Sequence, residues 1–275
     1  MKTYIIAEVG INHNGDIKIA KQLIDMAKRC GCDAVKFQKR TIDIVYTQAV
    51  LAAPRESPWG TTTRQQKEGL EFGIKEYQEI DRYCREAKID WFASAWDIPS
   101  LEFLRQFNCP HNKVASAMLT HASFVEAVAK ERKPTFVSTG MCSWEDLDKA
   151  IDAFKRQQCP FTLMHTVSVY PCKEEDLNLA CMETLRQRYK VPVGYSGHEV
   201  SPTPSIIAAA LGAVAIERHL TLDRAMYGSD QAASLEERGL EMLVKGVRCH
   251  EVVVGSGEKT YSEAEKSVAK KLRYW

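Results

Sequence analysis

No apolar run in this chain is long enough to cross a bilayer: charged residues interrupt every hydrophobic stretch after the first. The opening MKTYIIAEVG holds one lysine and a short apolar run without a small-residue cleavage site, so neither a secretory leader nor a membrane span is expected. Charge of one sign is also missing. Against 36 Asp and Glu stand 37 Lys and Arg, and a net charge of +1 provides no field for nucleic acid or an anionic membrane surface. Any anionic ligand must be held by local positive groups. Nor is there a paired cysteine framework. The nine cysteines are odd in number, and the CGC at 30–32 is too tight for a structural zinc knuckle, so reduced thiols and a cytoplasmic location are expected. The Gly-x-Gly-x-x-Gly fingerprint of dinucleotide-binding folds is absent after the first apolar run.

What the chain does have is alternation. Short β-rich runs fall at 4–10, 34–38, 90–95, 112–116, 135–140, 161–166, 191–196 and 213–219. Amphipathic segments lie between them, at 16–30, 75–88, 98–107, 121–131, 143–157, 174–189, 202–211 and 235–253. Near-continuous apolar strands suit a sheet covered on both faces, and eight strand–helix units in about 250 residues predict an α/β fold of the (β/α)8 TIM-barrel class over residues 1–257. Two regions break the rhythm. Residues 43–74 form a long insertion after the second strand, rich in turn formers and suited to a substrate lid. After Gly257 comes a charged tail, 258–275, expected to be helical and too short for a second domain.

In such a barrel the site lies at the C-terminal ends of the strands, and here those ends are unusually polar. The first ends at Glu8; the second carries Lys36 and Gln38; the third Ser94; the fourth Lys113 and Ser116; the fifth Ser138 and Thr139. His165 is on the sixth, with Ser168 and Tyr170 beyond it; the seventh ends in YSGHE, with Ser196 and His198, and the eighth in VAIERH. Alternation puts Glu217 and His219 on one face of that last strand, with Arg218 on the other. It cannot turn both Lys113 and Ser116 inward unless the fourth strand bends. Imidazoles on neighbouring strand ends, with Glu8 across the barrel, could bind a divalent cation and leave positions open for substrate. Inward lysines are costly unless they meet anions, and the serine hydroxyls suit phosphate or carboxylate oxygens. The combination reads as a site for a small dianion beside a metal.

These stretches, in this order, resemble the sialic acid synthase family: IAEVGINHNGD, GCDAVKFQ, WFASAWD, NKVASA, FVSTGM, MHTVSVYP, VGYSGHE and LGAVAIERHLTLDRAMYGSDQAASLE. The resemblance runs from about residue 3 to residue 255. It implies metal-dependent condensation of phosphoenolpyruvate with a sugar aldehyde such as N-acetylmannosamine, giving a 3-deoxy-2-keto sugar acid and phosphate. His198 and His219 would hold Mn2+ or Mg2+ close to Glu8. Lys36, Ser94, Lys113, Ser116, Ser138 and Ser196 would bind phosphoenolpyruvate; Glu8, Gln38, Met118, Ser168 and Tyr170 would face the acceptor; catalysis would fall to Glu8, Lys36, His198 and His219. A homodimer is the family's usual state.

The sequence departs from the family pattern at three positions. Met118 stands where a carboxylate is usual, Ser168 where asparagine is, and Gln231 where histidine is. All three are expected on the acceptor side. The C-terminal antifreeze-like domain common in the family has no counterpart up to Trp275, so Arg273 of the tail or the 43–74 insertion is a candidate to close the site. Alternatives stay open: a related synthase using an unacetylated or shorter aldose, a Schiff-base aldolase on Lys36 or Lys113, or a non-catalytic barrel.

Overall fold

The computed structural model describes residues 2–275. Eight parallel strands close into a barrel in chain order: Tyr4–Gly10, Ala34–Lys39, Asp90–Ala95, Asn112–Val114, Thr135–Ser138, Phe161–Thr166, Val193–Gly197 and Ala215–His219. The eighth pairs with the first, Glu8 lying level with His219. The eight-stranded α/β barrel predicted from alternation is therefore the observed fold.

Each strand returns through a helix whose apolar stripe covers the barrel. The first, Ile17–Cys30, buries Ala20, Leu23, Ile24, Ala27 and Cys30 at helical spacing, starts on the Asp16 carboxylate cap and stops at Gly31, whose φ of 89° favours glycine. That stop explains CGC: the two thiols flank a helix terminus, and all nine cysteines are free. The 174–189 segment is helical only over Cys181–Tyr189, preceded by a single 3-10 turn at Glu174–Asp176.

Strand alternation divides the barrel interior into layers. Tyr4, Phe92 and Phe136 meet at the floor, with ring centroids 6.1 Å apart for Tyr4–Phe136 and 5.9 Å for Phe92–Phe136. Two residues further along the same strands come Ile6, Ser94 and Ser138, and Glu8 follows on the first. An apolar floor thus supports a polar layer at the C-terminal mouth. The fourth strand ends at Val114 and Ser116 opens a 3-10 turn, Ser116–Met118. That turn is the bend needed to bring both Lys113 and Ser116 to the mouth.

The 43–74 insertion is ordered: short helices Ile42–Val45 and Gln48–Ala52, a hairpin of Pro54–Ser57 and Gly60–Thr62, then helix Thr63–Leu70. Trp59 packs flat against Gly69, where an added Cβ would lie 2.1 Å from the indole, and edge-on to Tyr227 of the loop after the eighth strand, centroids 5.7 Å apart. The insertion is thereby fastened across one side of the mouth. The tail forms a helix, Glu263–Leu272, exposed along nearly its whole length, with Arg273 stacked over Tyr261 rather than at the site. No helix among the described residues is long and apolar enough to cross a membrane.

Behind the first strand, buried His13 stacks on Phe72 with centroids 3.9 Å apart. Burial, helped by the nearby Arg40 charge, pushes its pKa down from 6.5 to about 3. Between those values the unfolded chain takes up a proton that the folded chain refuses, so stability falls as pH falls, by up to about 1.4 kcal/mol per pH unit. Urea unfolding from pH 7 to pH 4 is expected to show this slope reduced in His13→Gln; an identical slope in the variant contradicts the assignment.

Candidate active site

The strand ends converge on one cavity of about 300 Å³ at the C-terminal mouth. Its lining includes Glu8, Lys36, Gln38, Ser94, Lys113, Ser116, Ser168, Tyr170, His198, Glu217 and His219. At its base sits a buried cluster of two lysines and two glutamates. Lys36 Nζ lies 2.8 Å from Glu8 Oε2, 3.1 Å from Ser94 Oγ and 3.5 Å from Glu217 Oε1. Lys113 Nζ donates to both Glu217 oxygens at 2.9 and 3.0 Å, and Ser196 Oγ donates to Glu217 Oε1 at 3.1 Å. Gln38 Nε2 donates to Glu8 Oε1 at 2.8 Å.

The charges in this cluster hold each other. Burial alone would raise the Glu217 pKa, but Lys113 and Lys36 beside it bring it down to about 2. For Lys36 burial again opposes the charged form, and Glu217 and Glu8 more than offset it, so its pKa lies above the ordinary lysine value. Lys113 goes the other way: burial, reinforced by the Lys36 charge, outweighs Glu217 and lowers it. The four ionised groups cancel in net charge, so the site can exist without ligand and still offer two ammonium groups to an anion.

Above them the two imidazoles stand with ring centroids 5.6 Å apart. His198 Nδ1 donates to the Val167 carbonyl at 2.7 Å. This fixes the tautomer and leaves Nε2 as the lone-pair nitrogen. Burial, then the neighbouring His219, pushes the His198 pKa down to about 3, keeping it neutral as a metal ligand must be. His219 Nδ1 is buried without a hydrogen-bond partner; the nearest carboxylate oxygen, Asp230 Oδ2, is 3.8 Å away. Tyr170 packs on His198 at 3.9 Å and meets His219 edge-on at 5.8 Å. Gly10, at φ 55°, closes the wall: a Cβ there would lie 3.2–3.3 Å from Gln38, Glu8 and His219. Among the described residues no group of three His, Cys, Asp or Glu side chains converges as a complete metal cage. The two imidazoles fit an open site completed by substrate and water oxygens, not a closed structural one.

Behind the imidazoles lies a second buried ion pair. Arg218 Nη1 donates to Glu199 Oε1 at 2.8 Å, to Ser205 Oγ at 3.0 Å and to the Ser201 carbonyl at 2.9 Å; Tyr195 Oη donates to Glu199 Oε2 at 2.8 Å. Arg218 is on the outer face of its strand, as alternation requires, yet it is 1% exposed, covered by helix Thr203–Ala210. The pair joins the residue after His198 to the residue before His219.

Several expected residues sit elsewhere. Met118, expected to face the acceptor, is 8% exposed and packs in the hydrophobic core, because the 3-10 turn that brings Ser116 to the mouth rotates Met118 beneath it. Gln231, also expected on the acceptor side, is buried and braces its own loop through Thr221 Oγ1 and the Tyr227 carbonyl. Ser138 and Ser196 are buried below the cavity surface; Ser196 reaches it only through Glu217. His165 points outward, its Nε2 2.8 Å from the Leu177 carbonyl. Ser168 does line the cavity, close to Gly140 and Ser116, where a Cβ on Gly140 would be 2.3 Å from Ser168 Oγ. Conversely Arg40, Tyr46, Lys67, Trp96, Ser229 and Asp230 line the cavity without having been singled out. Arg40 continues the i, i+2 series of Lys36 and Gln38 and could have been found by parity; Lys67, on an insertion helix, carried no such signal.

Known proteins are similar to this chain over nearly its whole length. N-acetylneuraminate-9-phosphate synthase of Homo sapiens is 38% identical over 98% of this chain and 76% of its own length. N,N'-diacetyllegionaminic acid synthase of Legionella pneumophila is 32% identical over 99% of this chain and 79% of its own. Among solved structures, the N-acetylneuraminic acid synthetase of Leptospira borgpetersenii, in complex with citrate, superposes with a TM-score of 0.86 at 30% identity, covering 100% of this chain and 94% of that one. The NeuB family model matches residues 23–259, and with barrel, strand ends and relatives in agreement the chain belongs to the NeuB family.

Proposed function

We propose that this protein is a metal-dependent synthase that joins phosphoenolpyruvate to a sugar aldehyde, forming a 3-deoxy-2-keto sugar acid of the sialic acid type and inorganic phosphate. The observation that carries the reading is the buried pair of ammonium groups, Lys36 and Lys113, set beneath two imidazoles in one cavity. A phosphate and a carboxylate on one small molecule are the ligand such a pair suits.

Lys36 and Lys113, with Ser94 and Ser116 beside them, bind and orient phosphoenolpyruvate. Glu217, held well below the ordinary carboxylate range by the two lysines, positions them: both its oxygens accept from Lys113, Ser196 donates to one of them, and Lys36 lies 3.5 Å away. Glu8, steadied by Lys36 and Gln38, faces the acceptor, and Tyr170 covers the imidazoles. His198 and His219 would hold Mn2+ or Mg2+, and that ion, when bound, supplies polarisation of the acceptor aldehyde. The C3 carbon of phosphoenolpyruvate forms the new bond to the aldehyde carbon, water adds at C2, and the C2–O bond to phosphate breaks. Positioning of the two substrates by fixed charges is the main contribution of the protein.

With N-acetylmannosamine or a related aldose, phosphoenolpyruvate loss is expected to match phosphate release, to require the aldehyde, and to stop in chelator and resume with Mn2+. Chelator-insensitive turnover, or a borohydride-trapped lysine adduct, contradicts the metal-dependent reading and favours a Schiff-base aldolase.

A further inference from the structure

Glu8 is held at both oxygens, and one of its holders is itself held. Lys36 Nζ lies 2.8 Å from Oε2, and Gln38 Nε2 donates to Oε1 at 2.8 Å. The other end of the Gln38 amide, Oε1, accepts from Arg40 Nη2. An ionised carboxylate only accepts hydrogen bonds and a guanidinium only donates them, so a glutamine between the two fits in one orientation. Turned by half a revolution, the amide would set oxygen against carboxylate and N–H against guanidinium. Arg40 thereby dictates which atom Gln38 shows to Glu8.

Arg40 is free for this task because its neighbours are engaged elsewhere. Glu71 accepts from Lys39 Nζ at 2.8 Å and from the Arg40 backbone N–H at 3.1 Å, while Asp97 caps helix Ile98–Leu104 and accepts from the Thr41 N–H at 2.7 Å. The Trp96 backbone N–H donates to the Lys39 carbonyl at 3.0 Å, so the end of the second strand is strapped on both sides. The guanidinium lies over the Trp96 ring, 4.0 Å from its centroid, and forms no ion pair among the described residues. Such a shelf orients a planar cation without neutralising it. Gly10 closes the other side: a Cβ there would lie 3.2 Å from Gln38 Nε2 and from Glu8 Oε1 and 3.3 Å from His219 Cε1, which places the Gln38–Glu8 bond against the imidazole end of the cavity.

We propose that Arg40 is a positioning residue for the reaction, fixing the Glu8 carboxylate toward the acceptor through Gln38. The proposal rests on the synthase reading above. With Arg40 removed, the Gln38 amide can turn and offer Glu8 an oxygen as readily as an N–H, leaving Lys36 as the sole charged hold on a carboxylate that then swings about its last bond. A misplacement of about 1 Å at a reacting centre costs on the order of 10²-fold in rate.

A double-mutant cycle on Arg40 and Gln38, run with phosphoenolpyruvate and N-acetylmannosamine or the aldose turned over fastest, tests this. Arg40→Met is expected to lower kcat about 10–100-fold while the KM for phosphoenolpyruvate moves less than about 3-fold. Gln38→Met should lower kcat similarly, and adding Arg40→Met to it should cost less than about 3-fold more, because the two residues act as one unit. Arg40→Lys, which also only donates, should recover much of the loss. A second readout does not depend on turnover: with 15N in the glutamine side chains, the Gln38 amide signal, identified by its loss in Gln38→Met, should exchange slowly with solvent in the wild type and fast in Arg40→Met. Losses that multiply in the double variant, or a Gln38 signal that Arg40→Met leaves unchanged, overturn the proposal. An Arg40-dependent Gln38 signal in a protein without phosphoenolpyruvate-dependent turnover supports the coupling of Arg40 to Gln38 and sinks the synthase reading instead.

Discussion

Replacing His219 by alanine is expected to lower metal-dependent turnover by ~10³-fold or more, above the 10–100-fold typical of losing an outer-sphere partner of a metal ligand, while the barrel stays folded. The asymmetry follows from what the ring touches. Its Nδ1 has no hydrogen-bond partner, and the ring faces the cavity, so truncation strands no buried donor or acceptor. The Lys–Glu cluster beneath it makes its contacts without His219. Circular dichroism and the thermal midpoint should remain near wild type, and Mn2+ titration of the variant should show weakened binding. Turnover at the wild-type rate would remove His219 from the site; loss of fold would mean that its role is structural.

The reverse pattern is expected one residue away. Glu199→Ala leaves the Arg218 guanidinium buried at 1% exposure without its carboxylate, and also frees the Tyr195 and Ser205 hydroxyls. Removing one partner of a buried pair costs about 3–5 kcal/mol, which in a chain of this size is a drop in Tm on the order of 10 °C. Arg218 holds its charge even though burial lowers its pKa, so the penalty is not escaped by deprotonation. The double variant Glu199→Leu with Arg218→Met removes both charges and should recover much of the loss, because an apolar pair of similar volume often matches a buried ion pair. If the double variant is as unstable as Glu199→Ala, the uncompensated charge is not the cause. Activity measured below the melting range separates stability from positioning: the pair joins the segments bearing His198 and His219, so its loss should weaken Mn2+ binding as well.

Parity decided how much of the site was legible in the sequence. Alternation along VAIERH put Glu217 and His219 together and Arg218 opposite, and all three are where period two requires. What alternation does not tell is whether the outer face is wet. Alternation places Arg218 on the outer face, but the helix that follows the seventh strand covers it, and its partner Glu199 comes from the loop between that strand and the helix. The same limit applies to Met118 and Gln231. Position in a family pattern says which residue stands at a place in the chain, not which way a 3-10 turn or a loop rotates its side chain. Ser116 is the opposite case, since the conflict between its spacing and that of Lys113 already required the bend that the fourth strand makes. Arg40 was available from the Lys36, Gln38 series. Lys67 was not, because a helix in an insertion has no register with the barrel and is brought to the mouth by Trp59 wedged between Gly69 and Tyr227.

In the proposed reaction one cavity aligns the enol carbon of phosphoenolpyruvate with an aldehyde and releases phosphate by cleavage at C2. Phosphoenolpyruvate carrying 18O in the bridge between C2 and phosphorus tests it most directly, incubated with aldose and Mn2+ and followed by mass spectrometry of the phosphate. The released phosphate is expected to retain the label and to appear only when the aldehyde is present, in step with the new sugar acid. Unlabelled phosphate, or labelled phosphate released at the same rate without any aldehyde, would contradict it.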